Sequence, residues 1–111
     1  MSGRDSGGAA TATVFAALGD PTRWEILVRL GRAPASASAL AAELPVTRQA
    51  VGKHLEVLRA VGLVESSRSG REVLHRPVSS RLDELGRDLQ RVAESWDRRL
   101  AAVKEIAERG D

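Results

Sequence analysis

Three side chains in one short stretch, Arg48, Gln49 and Lys53, carry the most specific chemistry in this sequence. A guanidinium offers paired N–H donors that fit two acceptors at once, as on the edge of guanine. The Gln49 amide sets a donor beside an acceptor, the complement of adenine, and Lys53 suits a base or a phosphate. Thr47 precedes them at a helix-start position, where free backbone N–H groups favour phosphate oxygens. Further along, Arg68-Ser69-Gly70-Arg71 is short, flexible and doubly charged, suited to a minor groove or to backbone phosphates. The formal charge is only +2, but residues 47–76 carry six basic groups against three acids, while residues 1–46 balance and residues 77–108 are net −1. The excess positive charge therefore lies in one central block.

Other chemistries find no footing. The chain has no Cys, which excludes disulfides and thiolate metal sites and removes any clue to redox compartment. Its two histidines, His54 and His75, have no second His nearby, so no metal is expected. Neither histidine is placed near a plausible nucleophile–acid pair, and no phosphate-cradling G-x-x-x-x-G-K loop occurs, so neither an enzyme nor a cofactor is expected. No apolar run approaches the ~18–20 residues of a membrane span, and no signal-peptide core follows the start. A cytoplasmic protein with no membrane contact is the expectation.

The elements that must position these groups are largely readable. At 111 residues, 42% hydrophobic and with only Phe15, Trp24 and Trp96 as aromatics, the chain suits one domain whose Ala, Leu and Val core favours helices. Residues 1–12 read as a disordered arm. A short helix from Thr13 to Leu18 stops at Gly19. Asp20 as N-cap and Pro21 at the first helical position open the next, with Ile26, Leu27 and Leu30 inward and Gly31 at its end. Trp24 lies off that stripe, where packing against a neighbouring helix is the expectation. Ser38 reads as the cap of a helix through Leu40, Ala41 and Leu44 to Pro45. Thr47 caps the next, with Val51, Leu55 and Leu58 inward, Arg48, Gln49, Gly52, Lys53, Glu56 and Arg59 opposite, and Gly62 closing it. The segments Leu63–Ser67 and Glu72–Val78, joined through Arg68–Arg71, predict a β-hairpin leaning on the helices. Ser79 to Glu108 predicts one long helix in which Leu82, Leu85, Leu89, Val92, Trp96, Leu100, Val103 and Ile106 recur at three- and four-residue spacing. Such a helix, ~45 Å long, outruns its own core, and a second copy is the simplest partner.

Helices ending in a tight helix-turn-helix, then a basic hairpin, predict a mainly α winged helix-turn-helix with a long C-terminal dimerisation helix. The domain is expected over residues 13–108, with residues 79–108 as the dimer helix. Here the sequence resembles a family. Leu18-Gly19-Asp20-Pro21-Thr22-Arg23 followed by Ile26-Leu27, Thr47 through Leu55, Val57 through Val64, and Trp96-Asp97-Arg98-Arg99-Leu100 are similar, in order, to motifs of ArsR-type (arsenic-repressor) bacterial regulators, the last to those of a non-metal-sensing subgroup. The resemblance covers roughly residues 14–107 and implies a homodimeric repressor of its own or a neighbouring operon, with His54 half-buried and touching phosphate. Three positions depart from it. Trp24, a local packing or dimer-contact change, stands where a basic residue is common, Gly52 replaces a small polar residue, and His75 takes the place of a hairpin aromatic.

The expected DNA interface is Thr47, Arg48, Gln49, Gly52, Lys53, His54, Arg68 and Arg71. The expected dimer interface is Phe15, Leu85, Leu89, Val92, Trp96, Leu100 and Val103. The expected partners are a pseudo-palindromic operator in double-stranded DNA and a second copy of the chain. Alternatives are a winged-helix module that binds protein, or a repressor gated by an unidentified small organic effector.

Overall fold

A computed structural model describes residues 3–110, with side chains from residue 11 onward. The element order is α1 (Gly3–Leu18), α2 (Pro21–Leu30), α3 (Ala37–Glu43), α4 (Arg48–Ala60), β1 (Val64–Ser69), β2 (Glu72–Pro77) and α5 (Ser79–Arg109). The chain divides into two compact units, Met1–Arg81 and Leu82–Asp111.

In the first unit, α1 packs Val14 and Ala17 inward, and both are buried. The helix begins at Gly3, within the stretch expected as an arm over residues 1–12; residues 1 and 2 lie outside the described residues. Ala9, Ala10 and Ala12 are strong helix formers, and they continue backward a helix that Val14 and Ala17 anchor. Asp20 caps α2 as expected, its Oδ1 accepting the backbone N–H of Thr22 at 2.8 Å and of Arg23 at 3.1 Å, with Pro21 at the helix start. Those two N–H groups, Arg23's foremost, hold the Asp20 carboxyl below its ordinary range. Trp24 does not show the packing against a neighbouring helix of the same chain that was expected of it. It is 53% exposed, and Val28 one turn on is 54% exposed, so neither packs into the core of the chain.

The helix-turn-helix forms with one shift in its cap. Ser36, not Ser38, starts α3, its Oγ accepting from Ala39 N at 3.1 Å. Ala35 just before it exchanges both backbone hydrogen bonds with His75 (3.1 and 2.9 Å), so the extended segment ends there and the helix starts two residues early. Leu44 ends α3 in an extended conformation (φ −111°, ψ 151°), as a residue before proline must. Thr47 caps α4 through Ala50 N at 3.1 Å, and Val51, Leu55 and Leu58 are buried at 0–3% exposure. At its other end Gly62 takes φ +80°. Its N–H bonds to Arg59 O, and Leu63 N–H reaches back to Leu58 O, the paired bonds of a Schellman motif. Leu58 and Leu63, both fully buried, supply the apolar contact that accompanies it.

β1 and β2 pair antiparallel from Val64↔Pro77 to Ser69↔Glu72. The turn is therefore shorter than Arg68–Arg71. Arg68 pairs with Val73 inside the ladder, and only Gly70 and Arg71 form the loop. Gly70 takes φ +63° while Arg71 has no positive φ, the sign pattern of a type II′ turn. This hairpin leans on the helices: β2 touches α2 and α3, and β1 touches α4.

α5 is one uninterrupted 31-residue helix. Leu89, Val92, Trp96, Leu100, Val103 and Ile106 are 55–63% exposed, leaving an apolar face open to solvent over most of the second unit. Leu85, the first of the residues expected at the dimer interface on this helix, is 4% exposed.

Candidate nucleic-acid interface

The site is built on α4 and the hairpin, both in the first unit. Because α4 buries Val51, Leu55 and Leu58, its opposite face presents Gln49, Lys53 and Glu56, all exposed. The helical repeat places Arg48, Gly52 and Arg59 along one flank of that face and Ala50 and His54 along the other. Thr47 Oγ is used in the cap, but its O–H remains able to donate. Gly52 is open: a Cβ built there would meet nothing within 4 Å.

Arg48 and Arg71 are brought together, although twenty-three positions separate them. With Ser36, Ser38, Glu72 and His75 they line one polar cleft of about 250 Å³ between the start of α3, the start of α4 and the hairpin. Two exposed guanidiniums on one cleft concentrate positive potential where a polyanion can reach it. Arg68 is exposed on β1, away from the loop where it was expected. Arg76, its near neighbour in charge, is engaged by Glu65 at 2.9 Å and by Ser67 at 3.0 Å.

Both histidines are held by the fold. His75 is 7% exposed, its Nδ1 sharing a 2.8 Å hydrogen bond with Ser66 Oγ directly across the hairpin. Burial, aided by the Arg59 charge, pushes its pKa below the ordinary imidazole range, so it sits neutral where the hairpin joins the segment before α3. His54 is half-buried as expected, and its Nδ1 lies 3.3 Å from Arg23 Nη1. The same guanidinium donates from Nε to Ala17 O at 2.6 Å. Arg23 is the residue that sequence reasoning passed over. It belongs to the Asp20-Pro21-Thr22-Arg23 run, but nothing in its spacing points to a histidine thirty-one positions away. Among the described residues, no cluster of three or more His, Cys, Asp or Glu could hold a metal ion, and no helix is long and apolar enough to cross a membrane.

Of the dimer candidates, Leu89, Val92, Trp96, Leu100 and Val103 share the open face of α5, Leu85 is buried, and Phe15, on α1, is half-buried.

A family model described as a helix-turn-helix domain matches residues 18–67. The HTH-type transcriptional regulator CmtR of Mycobacterium tuberculosis is 37% identical over 102 residues, covering 92% of this chain and 86% of that protein. Among solved structures, an ArsR-like transcriptional regulator from Rhodococcus sp. RHA1 is similar at 56% identity and a TM-score of 0.82, over 92% of this chain and 96% of that one. The homodimeric winged helix-turn-helix DNA-binding domain Mb0332 of Mycobacterium bovis, described as a possible ArsR-family regulator, is similar at 26% identity and a TM-score of 0.67, over 85% and 88% of the two chains.

Proposed function

The chain belongs to the ArsR family of helix-turn-helix transcriptional regulators, and from that premise we propose that it acts in the cytoplasm as a homodimeric repressor gripping a pseudo-palindromic operator. The recognition element is the exposed face of α4, entering the major groove with Arg48 and Gln49 on base edges and Lys53 on a base or phosphate. The hairpin is the wing, with Arg68 and Arg71 on the flanking backbone. The observation that carries this reading is the shared cleft of Arg48 and Arg71, which joins the start of α4 and the wing tip in one cationic surface.

The open face of α5 supports the dimer. A two-fold pair of such faces buries apolar surface that is otherwise in water, and presents two copies of α4 to two half-sites. Repression then follows from occupying the promoter.

Two substitutions separate reading from gripping, in gel shifts on the chain's own upstream DNA at several salt concentrations. Arg48→Ala is expected to cost ~1–3 kcal/mol and to relax preference at one base position. Arg71→Ala is expected to weaken all sequences alike and to lower the salt slope by about one. A uniform loss from Arg48→Ala would place that side chain on phosphate instead. Salt-independent binding would overturn the nucleic-acid reading.

A further inference from the structure

The contact between Arg23 and His54 has a chemical consequence. A guanidinium has donors and no acceptor. When Arg23 Nη1 bonds to His54 Nδ1 at 3.3 Å, that nitrogen must therefore offer a lone pair. The ring is then neutral, and its one N–H is on Nε2. No partner for Nε2 is found among the described residues, and no side-chain nitrogen or oxygen is both buried and unpartnered there, so solvent reaches this nitrogen. His54 stands on the flank of α4 opposite Arg48 and Arg59, where a helix in the major groove faces one of the two bordering phosphate strands. Arg23 is itself fixed, since its Nε holds the Ala17 carbonyl and its backbone N–H holds the Asp20 carboxylate.

We infer that Arg23 is a positioning residue for the interface: anchored on α1 and the α2 cap, it sets the His54 tautomer so that Nε2–H donates to a DNA phosphate oxygen. The inference rests on α4 being the DNA-facing helix. It assigns His54 a neutral contact, which releases no counterion, unlike a cationic one.

The test has a DNA-free arm and a DNA arm. In long-range proton–nitrogen NMR spectra of the free protein, His54 is expected as the Nε2–H tautomer, with Nδ1 shifting when Arg23→Ala removes its donor. A protonated Nδ1 in the unsubstituted protein overturns the inference. Binding to a short mixed-sequence duplex is then read by fluorescence anisotropy. His54→Ala, which leaves the Arg23–Ala17 bond intact, is expected to weaken binding roughly three- to tenfold with an unchanged salt slope. Arg23→Ala, checked for folding by circular dichroism, is expected to do the same, and the double variant is expected to be no weaker than either single one. Multiplying losses, or a slope lowered by about one, overturn the inference. If the unsubstituted protein binds and His54→Ala matches it, this inference alone fails. If the unsubstituted protein binds no duplex, the DNA-binding reading fails, and the phosphate contact with it.

Discussion

Gly52 stands in the second turn of α4, where a missing side chain is costly: glycine in a helix interior is less favourable than alanine by ~0.8–1 kcal/mol. A Cβ there would meet nothing within 4 Å, so Gly52→Ala is expected to raise stability by up to about 1 kcal/mol and the melting temperature by several degrees. A lower melting temperature would mean that this turn is not helical in solution. Duplex affinity measured alongside it separates two causes for the glycine. A fall despite better stability would show that the α4 backbone approaches the groove floor, and no change would mark an indifferent surface position. His75 makes a prediction of the opposite kind, a side chain that costs stability when charged. Burial first, and the Arg59 charge second, set its folded pKa below the ~6.5 of a free imidazole. The unfolded chain therefore binds the proton more readily, and stability rises with pH across this range. It is complete above about pH 6.5 and falls as pH drops toward the folded value, below which the loss is full. Urea midpoints at mildly acid and neutral pH should show this difference, and His75→Phe should remove the part due to His75. An equal pH response in the variant would assign the effect to other groups.

At the scale of elements, α5 and the wing are stabilised in different ways. The wing is a two-stranded ribbon, too small to hold alone, and it is tied down by the Ala35–His75 backbone pair and by the buried Leu63 and Val64. α5 instead leaves its face open beyond Leu85. That contrast selects the probe for the dimer. Leu85→Asp would put a charge at a site the single chain already buries and would damage the protomer. Leu89, 55% exposed, can carry a charge in the protomer at little cost. In an apolar seam between copies the same Leu89→Asp would cost on the order of several kcal/mol. It is expected to yield folded monomers by analytical ultracentrifugation and to weaken duplex binding sharply. An unchanged dimer would place the interface elsewhere.

For the whole molecule, the chain has no cysteine, and among the described residues no cluster of three or more His, Asp or Glu could hold a metal ion, so regulation independent of metal is the expectation. Duplex affinity is expected to be the same with zinc, copper or cadmium at micromolar concentration and after chelation. Stoichiometric, reversible release of DNA by one of these ions would overturn that expectation. Much of the molecule was legible from residues close together in the chain. Asp20 with Pro21, Thr47, Gly62 and Gly70 each stop or start an element through bonds that span a few residues, and the stripe Val51, Leu55, Leu58 needs only the helical repeat. The cap of α3 moved from Ser38 to Ser36 because Ala35 answers to His75, forty positions on. Periodicity likewise drew Leu85 and Leu89 on one face without saying that the first is buried and the second open, and it left Trp24 to be packed when it is exposed. Local sequence thus determined the order of helices and strands, the glycine of the turn and the cationic face of α4. The tertiary structure decided which apolar residues are covered, that Arg48 and Arg71 line one cleft, and that Arg23 holds His54. The physical reason is that a cap or a stripe is a property of neighbours in the chain, whereas burial and side-chain partnership depend on segments that meet only when the chain folds.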